Sequence, residues 1–251
     1  MKQSFEEKNI DVLCYDKFKK IGNLEKCLES TIMFLCLPTK YNEKECNYEL
    51  DAIYETCDFL KNMNYSGIVV IKSTVIPTTT YNLRKKYTNL NFIHNPEFLS
   101  AKTAYIDFHN QTHIVIGKTN ENYKELEDFY KEHYPNANIS ICSSNESESM
   151  KIFCNTFYSV KIQFFNELYI LCNKINCDYD TIKELMIKNN WINPMHTDVP
   201  GNDGKLSYGG YCFPKDTNAL LSFMIRNNSS CQILEACVSE RNKMRDDNDN
   251  I

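Results

Sequence analysis

A series of short apolar runs, with helical stretches between several of them, is the feature that most constrains the fold of this chain. The runs lie at 10–16, 31–37, 67–72, 91–94, 112–117 and 138–142. Most are continuous rather than alternating, which is typical of strands buried on both faces. Helices are predicted between them at 47–63, 77–88 and 120–134. The alternation predicts an α/β fold built on a parallel, doubly wound sheet.

The second part of the chain is predicted to be all helical. A long helix is expected over 146–175, which contains neither Gly nor Pro, and Ser144 or Asn145 can cap it. Further helices are predicted at 178–190, 214–227 and 230–245. We therefore expect two domains, 1–143 and 144–246, followed by a polar tail at 247–251. A cleft between two domains is a favoured place for a ligand.

The long predicted helix carries a polar face and large apolar residues. Glu148, Lys151 and Asn155 are spaced to share one face, and spacing alone favours a solvated face with one ion pair. The large apolar residues include Phe153, Phe157, Phe164 and Leu168. Such a pattern is more often core than interface.

Polar or turn-forming residues follow four of the predicted strands. They are Asp16, Pro38-Thr39, Ser73-Thr74 and Asn95-Pro96-Glu97-Phe98. Each fits an ordinary turn, but together they favour a ligand site, because ligands gather at the carboxyl ends of parallel strands. Asp16 stands where a dinucleotide-binding fold places an acid against the ribose. This acid favours NAD over NADP because it would repel a 2′-phosphate, although Lys17, Lys19 and Lys20 weigh against that preference.

The glycine-rich turn of a dinucleotide fold is missing from the sequence. No glycine precedes Asp16, whereas a Gly-x-Gly-x-x-Gly turn should open the first helix and carry the pyrophosphate. We expect the chain to start inside that first helix, after the turn.

A cysteine lies between two glycines and a proline in the second half. The stretch is Tyr208-Gly209-Gly210-Tyr211-Cys212-Phe213-Pro214-Lys215-Asp216. Glycines permit close approach of a ligand, and proline is tolerated in the first turn of a helix. Cys212 would then lie at a helix N-terminus near Lys215, and both features favour the reactive thiolate. A glycine turn followed by a buried cysteine is the alternative.

Composition excludes several classes of protein. The 251 residues are 42% hydrophobic and 24% charged, with a net charge of −5, which fits a globular protein and gives no footprint for nucleic acid. Neither a signal peptide nor a membrane-spanning apolar stretch is apparent, so a soluble cytoplasmic protein is expected. The 12 cysteines include no Cys-x-x-Cys pair, which predicts reduced, mostly buried thiols and no metal site.

Five motifs in order resemble the nucleotide-sugar 6-dehydrogenases, the UDP-glucose/GDP-mannose dehydrogenase family, over nearly the whole chain. They are Leu37-Pro38-Thr39, Lys72-Ser73-Thr74-Val75, Asn95-Pro96-Glu97-Phe98-Leu99, Glu148-Ser149-Met150-Lys151 with Asn155, and Gly209 to Asp216. The resemblance implies a Rossmann-like NAD-binding domain and a helical central, dimerisation domain. It also implies a short form without the third domain that holds the nucleotide.

The resemblance implies a four-electron oxidation of a sugar CH₂OH to a carboxylate with two NAD⁺, most simply UDP-glucose to UDP-glucuronate. Cys212 would form a thiohemiacetal and then a thioester, and Lys151 and Asn155 would stabilise the oxyanion. Glu97 and Asp216 are the implied acid–base residues, and Thr74 would hold the hydrolytic water.

Binding residues and partners follow from the same resemblance. The implied NAD site comprises Asp16, Lys17, Pro38, Thr39, Ser73, Thr74, Glu97 and Lys215. The implied substrate site comprises Phe98, Leu99, Lys151, Asn155, Tyr208, Gly209 and Gly210. The expected partners are a nucleotide sugar and a second copy of the chain, held through the 146–175 helix; neither nucleic acid nor a membrane is expected.

Two other functions remain open from the sequence. A cofactor-incompetent pseudoenzyme or binding module would explain the missing glycine-rich turn and third domain, but not the presence of every implied catalytic residue. A two-electron hydroxyacid dehydrogenase of similar architecture has no use for Cys212.

Overall fold

The computed structural model describes residues 1–245, so the predicted polar tail at 247–251 lies outside the described residues. The chain divides into two compact units. The sheet unit comprises residues 1–39 and 50–151, and the helical unit comprises residues 40–49 and, of the described residues, 152–245.

A mostly parallel sheet forms the centre of the sheet unit. The strands of the chain are β1 (Ile32–Leu35), β2 (Tyr41–Asn42), β3 (Asn47–Tyr48), β4 (Ile68–Ile71), β5 (Asn91–His94), β6 (His113–Lys118) and β7 (Asn138–Ser143). The sheet has the order β1-β4-β5-β6-β7, while β2 and β3 form a separate antiparallel hairpin that belongs to the helical unit. Within the sheet only the β5–β6 pair is antiparallel.

Helices of the sheet unit cover both faces of this sheet. They are α1 (Lys2–Glu7), α2 (Asp51–Asn62), α3 (Thr79–Lys86), α4 (Ala104–His109) and α5 (Lys124–His133). Successive residues of a strand point to opposite faces. Accordingly Val69 and Ile71 of β4 pack with Leu60 of α2, whereas Val70 packs with Phe5 of α1 on the other face. The predicted doubly wound α/β class is confirmed.

The remaining helices are α6 (Ser144–Lys174), α7 (Tyr179–Ile187), α8 (Cys212–Arg226) and α9 (Gln232–Met244). The first eight residues of α6, 144–151, belong to the sheet unit and the rest to the helical unit. Asp178 caps α7 by accepting hydrogen bonds from the N–H groups of Asp180 and Thr181. Pro214 lies in the first turn of α8, where its missing N–H costs nothing. Within residues 1–245, no helix is both long enough and apolar enough to cross a membrane.

Two local predictions were wrong, and one helix was missed. Residues 10–15 form no strand, because the described residues provide no neighbouring strand for their backbone groups; only Asp16 makes an isolated bridge, to Ile21. The helix predicted at 47–63 begins at Asp51, since Asn47 and Tyr48 belong to the hairpin. The short helix α4 was not predicted at all.

The cysteines are also more exposed than predicted. None of the twelve, all within residues 1–245, forms a disulfide, but only Cys27, Cys57, Cys172 and Cys237 are buried. Cys212 is among the exposed ones, so the buried-cysteine alternative for the glycine motif is wrong.

Candidate active site

The first group of candidate residues lies at the start of α8 in the helical unit. Gly210 has a φ of +75°, a left-handed conformation that favours glycine, and Cys212 is the first residue of the helix. A Cβ at Gly209 would overlap the guanidinium of Arg245, and Tyr208 is buried. The two glycines therefore serve the turn and its packing. The exposed Cys212 sulfur is placed at the positive end of the helix dipole.

Asp216 is the centre of a buried polar network behind this turn. Its side chain is fully buried, and Oδ1 accepts hydrogen bonds from the Tyr48 hydroxyl and from Lys215 Nζ, each at 2.5 Å. Its other oxygen, Oδ2, accepts from Asn155 Nδ2 at 2.6 Å. A buried carboxylate is tolerated when it is paired and hydrogen-bonded in this way. The network thus joins α6, α8 and the hairpin within the helical unit.

Lys215 was predicted to favour the Cys212 thiolate, but its positive charge is paired with the Asp216 carboxylate. Its ammonium is buried, pairs with Asp216, and lies 4.7 Å from the centroid of the Tyr48 ring. Burial and the Asp216 carboxylate hold the pKa of Tyr48 well above its ordinary value. Tyr48 therefore remains a hydrogen-bond donor, and the pairing with Asp216 reduces the field that Lys215 presents to Cys212.

A second group of candidates lies in the sheet unit, at the exits of β1 and β4. Ser73 Oγ accepts a hydrogen bond from the Leu37 N–H at 3.0 Å and donates to the Leu37 carbonyl at 2.6 Å. Thr39 Oγ1 donates to the Thr74 carbonyl at 2.8 Å. The structure therefore brings Pro38, Thr39, Ser73 and Thr74 together at the carboxyl edge, as predicted.

The exit of β5 is held by a different buried network. Asn95 Oδ1 accepts from Tyr130 Oη at 2.5 Å and from Lys72 Nζ at 3.1 Å, and Asn95 Nδ2 donates to the Val115 carbonyl at 2.7 Å. Burial lowers the pKa of Lys72 to about 8, although the Glu97 carboxylate opposes the shift. This network anchors the chain just before Glu97.

The residues that follow Asn95 face outward. Glu97 and Phe98 are exposed, and Leu99 is half-buried against the core of the sheet unit. Lys151 Nζ lies 5.3 Å from the centroid of the Phe98 ring, within cation–π range. The structure thus brings together Lys151 and Phe98, both predicted substrate residues.

Asp16 and Lys17 are not placed as predicted. Asp16 Oδ1 accepts hydrogen bonds from the N–H groups of Phe18 at 3.0 Å and Lys19 at 2.9 Å, so it closes a local turn. Lys17 is exposed and makes an ion pair of 3.7 Å with Glu55. Neither residue follows a strand of the sheet.

Sequence reasoning missed Tyr48 and misplaced Glu148. The side chain of Glu148 is not solvated: it is fully buried, and Oε1 accepts from the Thr80 N–H at 2.7 Å and the Thr80 hydroxyl at 2.5 Å. Burial raises the pKa of Glu148 to about 7, against the opposing effect of these hydrogen bonds. The consecutive threonines at the start of α3 offered a weak signal for this contact, whereas nothing near Tyr48 pointed to Asp216.

Comparison with known proteins identifies the class. The NAD-binding domain of the UDP-glucose/GDP-mannose dehydrogenase family matches residues 5–134, and the central domain of that family matches residues 145–243. The chain belongs to this family. The matched NAD-binding domain implies NAD as the cofactor.

Two of the relatives that the chain matches are UDP-glucose 6-dehydrogenases. The chain is 33% identical over 234 residues to UDP-glucose 6-dehydrogenase of Rickettsia bellii, covering 88% of this chain and 51% of the relative. It is 30% identical over 190 residues to UDP-glucose 6-dehydrogenase of Campylobacter jejuni, covering 75% of this chain and 47% of the relative. The chain thus spans about half the length of the curated relatives it matches.

Solved structures agree on the fold. A UDP-glucose dehydrogenase from Pyrobaculum islandicum matches with a TM-score of 0.76 at 24% identity, covering 88% of this chain and 52% of that one. A UDP-D-ManNAc dehydrogenase from Pyrococcus horikoshii matches with a TM-score of 0.76 at 19% identity, covering 89% and 53%.

The residues at the exits of β1 and β4 fit a nicotinamide dinucleotide. Their loops follow adjacent parallel strands and are tied together by the Ser73 and Thr39 hydroxyls. Pro38 is exposed and Thr74 is half-buried, so these loops offer surface for a flat ring at the edge that such sheets use for dinucleotides.

Proposed function

We propose that this chain carries the NAD-binding and cysteine-bearing parts of a nucleotide-sugar 6-dehydrogenase that oxidises the C6 alcohol of UDP-glucose to the carboxylate of UDP-glucuronate. The observation that carries the proposal is the exposed Cys212 at the first residue of α8, backed by the buried Asp216 network. An exposed thiol at a helix N-terminus is suited to nucleophilic catalysis.

The residues at the exits of β1 and β4 would hold the cofactor. NAD⁺, when bound, would accept a hydride from the sugar carbon in each oxidation. Pro38, Thr39, Ser73 and Thr74 would line the dinucleotide, as the resemblance implies. Asp16 would contribute only by leaving its local turn, because Oδ1 already accepts two backbone hydrogen bonds there.

Cys212 would carry the covalent chemistry. In the first oxidation the C6 alcohol would lose a hydride from carbon to the bound NAD⁺ and its hydroxyl proton to the acid–base residue, which leaves the aldehyde. The Cys212 thiolate then forms a C–S bond to C6, and the carbonyl oxygen takes up the negative charge. Loss of a hydride from C6 of this adduct leaves a thioester. Water then attacks C6, the C–S bond breaks, the thiolate is regenerated, and the sugar carboxylate and two protons are released.

Lys151 and Asn155 would stabilise the oxyanion of these steps by charge and hydrogen bonding. They are four residues apart on α6 and so share one face of the helix. Asp216 fixes Asn155 by accepting a hydrogen bond from its Nδ2. Because Asp216 is fully buried and both its oxygens accept hydrogen bonds, we assign it a positioning role. The exposed Glu97 is then the acid–base residue, with Thr74 holding the hydrolytic water.

Replacing the nucleophile tests the proposal. We expect Cys212→Ser to release no UDP-glucuronate from UDP-glucose and NAD⁺, as measured by chromatography of the products, because the hydroxyl is a poor substitute for the thiolate. Cys177→Ser, which removes another exposed thiol, is the matched control and should form product at the wild-type rate. Release of UDP-glucuronate by Cys212→Ser at the wild-type rate would contradict the proposal.

We also propose that two copies of the chain associate through α6. Phe153, Phe157, Phe164 and Leu171 are each at least half exposed, at 52%, 62%, 51% and 50%. Their spacing places them on one face of the helix. The sequence pattern favoured a core position for the three phenylalanines, and that prediction was wrong. Of the four large apolar residues that the sequence analysis singled out on this helix, Leu168 packs against a core.

A further inference from the structure

The hairpin of β2 and β3 packs on α8 within the helical unit. Its Tyr41 hydroxyl is 2.7 Å from Ser222 Oγ, and the Arg226 side chain donates to the Cys46 carbonyl at 2.5 Å. Nearer the start of α8, the buried Tyr48 donates to Asp216 Oδ1 at 2.5 Å. The hairpin therefore contacts α8 at both ends, and of these three contacts the one made by Tyr48 lies nearest the turn that carries Cys212.

We infer that Tyr48 is a positioning residue for the Cys212 turn, acting through the Asp216 carboxylate and its partners Lys215 and Asn155. The role in catalysis rests on the proposed function; the effect on the Cys212 thiol does not.

Two contacts of Tyr48 give it this role. Its hydroxyl hydrogen points at the same Asp216 oxygen that accepts from Lys215, and its ring lies 4.7 Å from the Lys215 ammonium. The hydroxyl thus offsets part of the carboxylate charge, and the ring holds Lys215 in the first turn of α8. Without the hydroxyl, more of the negative field of Asp216 reaches Cys212. The thiolate is then less favoured.

Other titratable groups act in the same place within the helical unit. Burial, then Cys212, Asp216 and Glu49, raises the pKa of Tyr211, which precedes Cys212. Burial, then Asp216, Cys212 and Tyr211, raises the pKa of Tyr48. None of these side chains changes in a Tyr48→Phe variant except Tyr48 itself. The ring of the new phenylalanine keeps the packing.

The test is the rate of alkylation of Cys212 by iodoacetamide against pH, resolved by mass spectrometry with Cys177 as an internal reference. We expect Tyr48→Phe to slow alkylation of Cys212 about threefold near neutral pH. At alkaline pH Cys212 is ionised in the wild type and in the variant, so their alkylation rates should converge. Tyr41→Phe is the matched control, because it removes a hydroxyl from the same hairpin that contacts the same helix away from Cys212. Its profile should equal that of the wild type.

Superimposable Cys212 profiles for wild type and Tyr48→Phe would overturn the inference, and so would an equal shift in Tyr41→Phe. Alkylation needs neither NAD nor a sugar, so its outcome is separate from that of the proposed oxidation. Where oxidation is observed, Tyr48→Phe should lower kcat several-fold and leave the KM for NAD⁺ unchanged. A change in KM alone would count against a positioning role.

Discussion

At the scale of single residues, burial shifts the pKa values of two ionisable groups of the sheet unit in opposite directions. Burial raises the pKa of Glu148 to about 7, so the fold favours its protonated form. Burial and the charge of Lys72 lower the pKa of His94 to about 3, so the fold favours the neutral ring, which lies 2.8 Å from Ser147 Oγ. As a result, one group lowers the free energy of unfolding as pH rises, and the other lowers it as pH falls.

The sign for Glu148 follows from proton uptake. Between the ordinary glutamate pKa of 4.5 and the raised pKa of about 7, the folded chain holds the proton and the unfolded chain does not. The free energy of unfolding therefore falls as pH rises through this range and levels off above it. His94 does the reverse: between about 3 and 6.5 the unfolded chain holds the extra proton, so stability is lost as pH falls.

Glu148→Gln isolates the first effect. We expect the stability of the wild type, relative to the variant, to fall by up to about 3 kcal/mol between about pH 5 and about pH 8. Urea denaturation at a series of pH values measures this difference, and the contribution of His94 cancels because both proteins contain it. A difference that does not vary with pH would show that Glu148 ionises normally in the fold.

At the scale of secondary-structure elements, two arginines at the C-terminal end of α9 hold the loop that leads into the turn with Cys212. Arg245, just after α9, pairs with Asp203 at 2.6 Å and donates to the Leu206 carbonyl at 3.1 Å. The Arg241 side chain donates to the Tyr208 carbonyl at 3.4 Å. These contacts fix the loop before the glycines, and they hold the Arg245 guanidinium where a Cβ at position 209 would overlap it.

The exposed stripe on α6 makes a second prediction at this scale. Phe157→Asp places a charge on the stripe, and we expect it to shift the chain from dimer to monomer in analytical ultracentrifugation. Ile233→Asp, on α9, places the same charge at an exposed apolar residue away from the stripe and should remain dimeric. A wild-type protein that sediments as a monomer at every concentration would contradict the dimer.

At the scale of the whole molecule, the sequence predicted what depends on local pattern. Continuous apolar runs such as 68–71 became buried strands, and the Gly-Gly-Tyr-Cys-Phe-Pro stretch placed Cys212 at a helix start. Residues 10–16 also contain a short, mainly apolar run, but a strand needs a neighbour to receive its hydrogen bonds. Apolar pattern alone could not show whether that neighbour exists.

The buried networks were less predictable because they join residues far apart in sequence. Tyr48 and Asp216 are 168 positions apart, and Thr80 and Glu148 are 68 apart. The sequence could indicate that Asp216 and Glu148 belong to recognisable motifs, but it could not show which side chains donate hydrogen bonds to them. Their partners lie in segments that were predicted to be ordinary helix or turn.

The central claim is a four-electron oxidation by way of Cys212, and the ratio of NADH formed to sugar consumed tests it most directly. The protein is incubated with excess NAD⁺ and a limiting amount of UDP-glucose, and the absorbance of NADH is followed until the reaction is complete. The account predicts two NADH per UDP-glucose, with UDP-glucuronate as the product. One NADH per sugar with free aldehyde would contradict it, and NAD⁺ binding without any NADH would instead support a binding module.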